Sequence, residues 1–497
     1  MVTGNSTPTL ALPLQGGGLA PSPSQGEGWD GDLLMGATVS GWANKMVLVL
    51  GLGETGLSLV RWLSAQGAQV RAADTREQPP ALAEVRAQLP QVEIYCGAYR
   101  DEILSGVDLI AISPGVALTE QFVQRAIARG IPVVGDVELF AQALPQKNRP
   151  KIIAITGSNG KTTVTSMVGS MCRAAGLGTV VAGNISPAVL DALLQRDGQQ
   201  PDVWVLELSS FQLETTMTLN ADSAAVLNVS EDHLDRYTDM DAYSAAKARI
   251  FNGNGVQVLN RDDARSAQMG LAGRMQVTFG LNVPQAPNDW GILHAADGIW
   301  LMQGQQCVLN AREVQVAGLH NVANALAALA LCHAIGLPLA PQLEALRAFK
   351  GLPHRVERVA EINGVVYFDD SKGTNVGATV AALQGLGQPA VLIAGGDGKG
   401  QDFSPLNPVV AQYARAVVLI GRDAEKISAA LQGCGVTLQH AQDMADAVRQ
   451  SAAIAQAGDA VLLSPACASF DMFRNYEHRA EAFIAAVHGL HKEATCA

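Results

Sequence analysis

Nowhere in this sequence does an apolar run reach the ~20 residues that a helix needs to cross a bilayer. Nor does a C-x-x-C pair occur among its seven cysteines. The first absence argues against membrane insertion. The second, with an odd cysteine count, argues against a zinc knuckle or a disulfide framework and for reduced thiols in the cytoplasm. Charge is scarce as well: 16% of residues are charged, and acidic residues outnumber basic ones, 46 to 34, for a net charge of −12. A chain without a basic surplus lacks the face that nucleic acid or an anionic lipid surface requires. An anionic ligand must therefore be met by lysines and arginines gathered locally.

What is present is a long, well-buried globular chain. With 497 residues and 48% hydrophobic content, one core is too few and about three domains are expected. The exception is the start. "LPLQGGGLAPSPSQGEGWDGD" has no sustained period and none of the cationic and apolar blocks of a signal peptide. Residues 1–45 therefore read as a disordered extension, with the fold expected to begin at Met46.

From Met46 onward short apolar strands alternate with amphipathic helices, the pattern of an α/β protein with parallel sheets and right-handed crossovers. "ALPQKNRPK" (Ala143 to Lys151) and "FKGLPHR" (Phe349 to Arg355) read as linkers. They divide the chain into domains over 46–147, 148–350 and 351–497. The first and third read as Rossmann-like and the second as a P-loop ATPase-like unit that closes with an apolar helix over about Asn321 to Ile335. Strands such as "VWVLELS", "VVYFDDS", "AVLIAGGDGKG" and "AVLLSPACASF" end in polar or glycine-rich turns, where such sheets bind ligands.

Two glycine loops stand out. Gly51, Gly53 and Gly56 form G-x-G-x-x-G between a strand and a helix, with Asp74 ending the next strand. This is the dinucleotide fingerprint, and an NAD-dependent oxidoreductase is one reading. Another nucleotide, or glycines that merely permit close packing, are the others. The second loop, "TGSNGKTT", follows the apolar run "KIIAI" and opens a helix. Gly160, Lys161 and Thr162 give the G-K-[ST] arrangement, although Ile155 stands where a standard P-loop has its first glycine. Lys161 is placed to meet outer phosphates and Thr162 a Mg²⁺ ion. Glu207, at the end of "VWVLE", is where a Mg²⁺-holding acid belongs, or else a buried structural partner. His233 in "NVSEDHLDRY" is a further candidate, or an ordinary loop histidine. An ATP-switched binding protein would need only the loop; the acid, histidine and lysine spaced behind it favour an enzyme.

In order along the chain, "TGSNGKTT", "ELSSFQL", "NVSEDHLDRY", "AYSAAKARI", "HNVANALAA", "LPHR", "DDSKGTN", "GGDGKGQDF" and "SPACASFDMFRNYEHR" resemble the Mur ligases, ATP-dependent amide-forming enzymes of peptidoglycan precursor synthesis. "DDSKGTN" with "SPACASFD" resembles the D-glutamate-adding branch, with a sibling adding another amino acid as the alternative. The resemblance covers Met46 to the C-terminus. It implies UDP-N-acetylmuramoyl-L-alanine, D-glutamate, ATP and Mg²⁺ as ligands, a cytoplasmic monomer, and no nicotinamide. It implies that Gly53, Thr55, Gly56, Asp74, Thr75, Arg76, Ser113 and Asn184 face the UDP-linked substrate. Gly157, Asn159, Gly160, Lys161, Thr162, Thr163, Asn324, Arg355 and Asp370 would hold ATP, with His354 beside them. Lys372, Thr374, Lys399, Ser469, Phe470 and Tyr476 would form the D-glutamate pocket. Thr162 and Glu207 would serve one magnesium; Glu207, His233 and a carbamylated Lys247 would serve a second. Read without the resemblance, Lys247 is a solvated cation. Two positions depart from the family pattern: Ser186 replaces a glycine and Tyr476 a phenylalanine.

Overall fold

A computed structural model describes residues 41–233, 235–316 and 318–496, with side chains to residue 490. Of the expected extension, residues 1–40 lie outside that range. Residues 41–45 do not behave as a free tail. Trp42 packs edge-on against Trp62 with ring centroids 5.5 Å apart, and the Lys45 carbonyl accepts from Gln69 N–H. The chain thus joins the fold ahead of Met46, because one indole buries apolar surface that the sequence pattern alone does not mark.

The first sheet holds β1 (Met46–Leu50), β2 (Gln69–Asp74), β3 (Glu93–Cys96), β4 (Leu109–Ile112) and β5 (Val133–Val134) in the order 3-2-1-4-5. All its pairs are parallel. Helices cover both faces, so Val47 to Leu50 are fully buried and the strand is an unbroken apolar run. The helix Glu54–Ala65 lies so close that a Cβ on Gly56 would sit 1.8 Å from the Gly51 carbonyl oxygen. That contact explains the third glycine of the first loop; Gly53, by contrast, has nothing within 4 Å of its Cβ position, leaving its backbone open to a ligand.

The central sheet comprises β6 (Lys151–Thr156), β7 (Thr179–Gly183), β8 (Val203–Glu207), β9 (Ser223–Val226), β10 (Val256–Asn260), β11 (Gln276–Phe279), β12 (Trp290–Ala295), β13 (Gly298–Gln303) and β14 (Gln306–Asn310). Their order is 14-13-12-11-10-9-6-8-7. Strand β6 has β8 on one side and β9 on the other. The chain reverses direction across the sheet there, opening a crevice at the carboxyl ends of these strands. The antiparallel meander β12–β14 extends the far edge. The third sheet holds β15 (Glu357–Ile362), β16 (Val365–Asp369), β17 (Ala390–Gly395), β18 (Ala414–Ile420), β19 (Thr437–His440) and β20 (Ala460–Leu463) in the order 15-16-20-17-18-19. Only β15 runs antiparallel.

The three units are not joined alike. One apolar cluster runs continuously from the first sheet into the central one, with Phe140 and Trp204 both fully buried and 4.9 Å apart. Glu138 adds bonds to Met217 N–H, Thr218 N–H and the Thr218 hydroxyl, each 2.7–2.8 Å. The third unit has its own cores on each sheet face. It meets the central unit through polar contacts: Arg355 to Thr162 at 2.8 Å, Asn375 to Asn159 at 3.1 Å, and Lys399 to Asp232 at 3.3 Å. Burying one aromatic side chain stabilises by roughly 1.5–3 kcal/mol, whereas a partly exposed ion pair contributes about 0–1 kcal/mol. The first two units thus share one apolar core, whereas the third joins the central one through these polar contacts and the packing of helix Val376–Gly385 on helix Leu319–Ala334.

Candidate active site

The phosphate loop is built by the end of β6 and the start of the helix Lys161–Ala174. Gly160 caps that helix at φ +83°, and a Cβ there would lie 2.4 Å from Asn324 Oδ1; only glycine fits both constraints. The segment after β9 braces the loop. Asn228 accepts from Asn159 N–H at 2.8 Å through its side chain and from Ser158 N–H at 2.9 Å through its carbonyl. Lys161 folds back over the loop, donating to the Gly157 and Ser158 carbonyls at 2.8 and 3.0 Å. Its ammonium thus hangs over a helix N-terminus, a cradle for phosphate oxygens.

Of three cavities here, two meet at this loop and the other adjoins one of them through Asn184. The first, of about 410 Å³, lies at the carboxyl ends of β1, β2 and β4 and is lined by Gly53, Thr55, Asp74, Thr75, Arg76 and Ser113. Asp74 organises it. One oxygen accepts from Leu52 N–H at 2.7 Å and from Arg76 Nη2 at 2.6 Å; the other accepts from Arg76 N–H and Nε. Burial alone would raise its pKa, but the Arg76 and backbone bonds prevail and lower it. Gly56 itself stays beneath, against Gly51. The sequence reading missed Glu54, Tyr99 and Gln212 on this wall; Gln212 was within reach, as it sits in "ELSSFQL".

Asn184 lines both this cavity and the second, of about 710 Å³, where the central and third units face each other. Around it stand Lys161, Thr162, Glu207, His233, Arg355, Lys372, Thr374, Lys399, Tyr476 and also Ser186 and His354. An acidic protein here concentrates its cations against a few buried acids. Glu207 is 2% exposed. Its Oε1 accepts from Asn184 Nδ2 at 2.9 Å, while its buried Oε2 has no hydrogen-bond partner. A buried carboxylate oxygen left without a donor is costly unless a cation completes it. That orphaned atom, on a residue that lines one cavity with Thr162, fits a divalent ion. His233, at φ +57°, lies 4.7 Å from the Phe211 ring. Burial pushes its pKa down to about 4, against the pull of Asp232, so its ring is neutral and able to act as a ligand. Lys372 sits 3.5 Å above the Tyr476 ring, its pKa lowered to about 8 chiefly by burial.

The third cavity, of about 300 Å³, is lined by Asn159, Gly160, Thr163, Asn324, Arg355 and Asp370, with Leu227, Phe279 and Ala382 as apolar walls. Asp370 accepts from Ser464 Oγ at 2.7 Å, and burial lifts its pKa to about 7. His320 belongs here too; it lies one helical turn before Asn324 in the quoted "HNVANALAA".

Five expected positions do not line these cavities: Gly56, Gly157, Lys247, Ser469 and Phe470. Ser469 is 3% exposed and Phe470 75% exposed, and neither lines the cavities. After the bridge between Asp397 and Ala468, the chain turns so that Met472 and Phe473 N–H both reach the Ser469 carbonyl, which leaves the Phe470 ring pointing outward. Lys247 is 1% exposed and donates to the Gly157 carbonyl at 3.0 Å from beneath the loop. That overturns the solvated-cation reading. Arg479 was missed: at 1% exposure it bonds the Ser371 and Cys467 carbonyls, tying "DDSKGTN" to "SPACASF".

Comparison with known proteins gives the family. The MurD-like N-terminal domain of Mur ligases matches residues 45–135, the Mur ligase middle domain residues 155–332, and the Mur ligase glutamate ligase domain residues 354–467. The UDP-N-acetylmuramoylalanine–D-glutamate ligase of Nitrosospira multiformis is 61% identical over 90% of this chain and 96% of its own. That of Methylobacillus flagellatus is 57% identical over 90% and 98%. Among solved structures, the UDP-N-acetylmuramate–alanine ligase of Thermotoga maritima shares the fold, with a TM-score of 0.57 at 20% identity over 89% of this chain and 99% of its own. With three matched domains in order and relatives this similar along nearly their whole length, the chain belongs to the Mur ligase family.

Proposed function

We infer that this protein is an ATP-dependent ligase that joins D-glutamate to UDP-N-acetylmuramoyl-L-alanine in peptidoglycan precursor synthesis. One observation carries the reading: a phosphate loop, an orphaned buried carboxylate and four cations meet in a cavity that Asn184 shares with a separate nucleotide-sized one. In this reading the UDP moiety occupies the first cavity and the alanyl carboxylate passes Asn184 into the second. ATP lies in the third cavity with its phosphates on the loop. The carboxylate oxygen attacks the γ-phosphorus and ADP leaves, giving an acyl phosphate. The D-glutamate amine then attacks the acyl carbon, phosphate departs with the electron pair, and the amide forms after loss of the amine proton.

The chain's part is to gather like charges. Lys161 and Arg355 offset the phosphates, and the loop's backbone N–H groups receive them. Lys372, Thr374 and Lys399 offer the D-glutamate carboxylates charge and hydrogen bonds. Thr162, Glu207 and His233 would hold magnesium, which when bound neutralises the phosphate oxygens and the attacking carboxylate. Lys247 would join that set as a carbamate. All three cavities lie in one chain, so a monomer suffices, and the nucleotide-linked substrate and ATP set the reaction in the cytoplasm.

ADP release is expected to require both the muropeptide and D-glutamate; equal rates with L-glutamate or meso-diaminopimelate would overturn the assignment. Because Lys399 provides a charge-assisted contact worth about 1.5–3 kcal/mol, Lys399→Ala should raise the KM for D-glutamate by roughly tenfold or more. Steady-state kinetics with each substrate varied would check it, and a change confined to ATP would count against the placement. Asp74→Ala removes the anchor of both Leu52 N–H and Arg76 and should weaken UDP binding by ~10-fold or more, with ATP binding unchanged. Calorimetry with UDP and with NADH separates this from the dinucleotide reading, which micromolar NADH affinity without UDP affinity would restore.

A further inference from the structure

We propose that Arg236 is a positioning residue that locks the UDP-substrate cavity to the phosphoryl-transfer centre. It belongs to neither set of expected ligands, and its side chain is 13% exposed. Its guanidinium nonetheless spans both places. Nη1 donates to the Pro114 carbonyl at 2.7 Å and Nη2 to the Val116 carbonyl at 3.3 Å. Pro114 and Val116 line the first cavity beside Ser113. Nη2 also pairs with Glu214 at 3.0 Å, at the end of the helix Ser210–Glu214 that follows Glu207 and carries Gln212, another wall of that cavity.

The other end of the link is aromatic. The guanidinium carbon sits 4.1 Å from the centre of the Phe211 ring, and the His233 ring packs on Phe211 at 4.7 Å. Arg236 N–H further donates to the His233 carbonyl at 2.9 Å, within the turn that sets His233 at φ +57°. One planar cation thus holds the loop after β4, the helix after β8 and the wall of the histidine. Lysine could supply the charge to Glu214 but not two carbonyl bonds and a stacked plane together. The geometry makes the register between the substrate's nucleotide end and its reacting carboxylate depend on this side chain. A misplacement of about 1 Å between reacting groups costs on the order of 10²-fold in rate.

The proposal rests on the reading that the first cavity takes the UDP-linked substrate, so the test begins with UDP binding to the unaltered protein by calorimetry. Failure there would remove that reading and leave Arg236 without a ligand to position. Given binding, Arg236→Lys and Arg236→Ala are expected to raise the KM for UDP-N-acetylmuramoyl-L-alanine by ~10-fold or more. They should lower kcat as well and leave the KM for ATP within about twofold. Arg236→Lys preserves charge and most packing, so it keeps the test valid if the alanine variant unfolds. A muropeptide KM within about twofold of the parent in Arg236→Lys, or a rise matched by ATP, would mean that the residue only stabilises the fold.

Discussion

Glu207→Gln is expected to lower kcat by roughly 10³-fold while leaving the melting temperature equal or higher. The magnitude follows from losing a preorganised electrostatic contact to developing charge, which costs about 10²–10³-fold in comparable sites, together with the cation that the carboxylate would hold. Glutamine keeps the size of the side chain, and its carbonyl can still accept from Asn184 at the 2.9 Å position. It replaces the orphaned Oε2 with an amide that donates and cannot bind a cation. The stability expectation runs the other way. A buried carboxylate oxygen without a donor destabilises the free protein, so neutralising it relieves that cost. Such opposition of stability and activity marks a site arranged for a ligand. Coupled measurement of ADP release across a magnesium titration, with calorimetric melting of both proteins, would check both halves. Activity within tenfold of the parent, with unchanged magnesium dependence, would reduce Glu207 to a structural acid.

The sequence makes the strand ends legible because parallel strands covered on both faces must be apolar throughout, and their ends must be polar. "VWVLE", "AVLIAGG" and "AVLLS" therefore appear where β8, β17 and β20 do. The glycine loops are legible for a steric reason: Gly56 and Gly160 each stand where a Cβ would strike another atom. Contacts between units are not legible, since they depend on how whole sheets dock. No periodicity announces that Lys399 meets Asp232, that Trp42 packs on Trp62, or that Arg236 reaches Pro114 across 122 positions. Ser469 illustrates the same limit in miniature. A motif places it beside the site, but the turn that follows decides that its side chain is buried and Phe470 faces water. The meander β12–β14 went unanticipated because its strands, half-exposed at a sheet edge, lack the unbroken apolar runs of the interior.

Lys247→Ala is expected to remove most activity, by ~10²-fold or more, and Lys247→Arg to do the same. Short carboxylic acids such as formate or acetate should partly restore the alanine variant. The residue sits on the helix Met240–Ala248, whose buried face carries Tyr243, Ala246 and Lys247. Its Nζ lies 4.4 Å from the Tyr243 ring and bonds the Gly157 carbonyl beneath the phosphate loop. Burial, then the charge of Lys161, pulls its pKa well below the usual lysine value, with Asp232 opposing. A depressed pKa means that the amine is neutral at a pH where an exposed lysine is still protonated. A neutral amine is the form that adds CO₂: nitrogen attacks the carbon, one proton leaves, and an anionic carbamate results. The side chain would then change from an amine, which if protonated would repel magnesium, into a carboxylate-like ligand for it. Arginine cannot follow this course, because its guanidinium keeps its charge, and alanine leaves a space that a small carboxylate fills. The rescue separates chemistry from packing, since a side chain that only filled the core would not be replaced by a soluble acid. Restoration that grows with the concentration of acetate, together with loss of parent activity on stripping dissolved CO₂, is the expected pair of results. Full activity in Lys247→Arg, or an alanine variant indifferent to every carboxylate, would leave Lys247 as a buried amine whose task is to hold the loop carbonyl of Gly157.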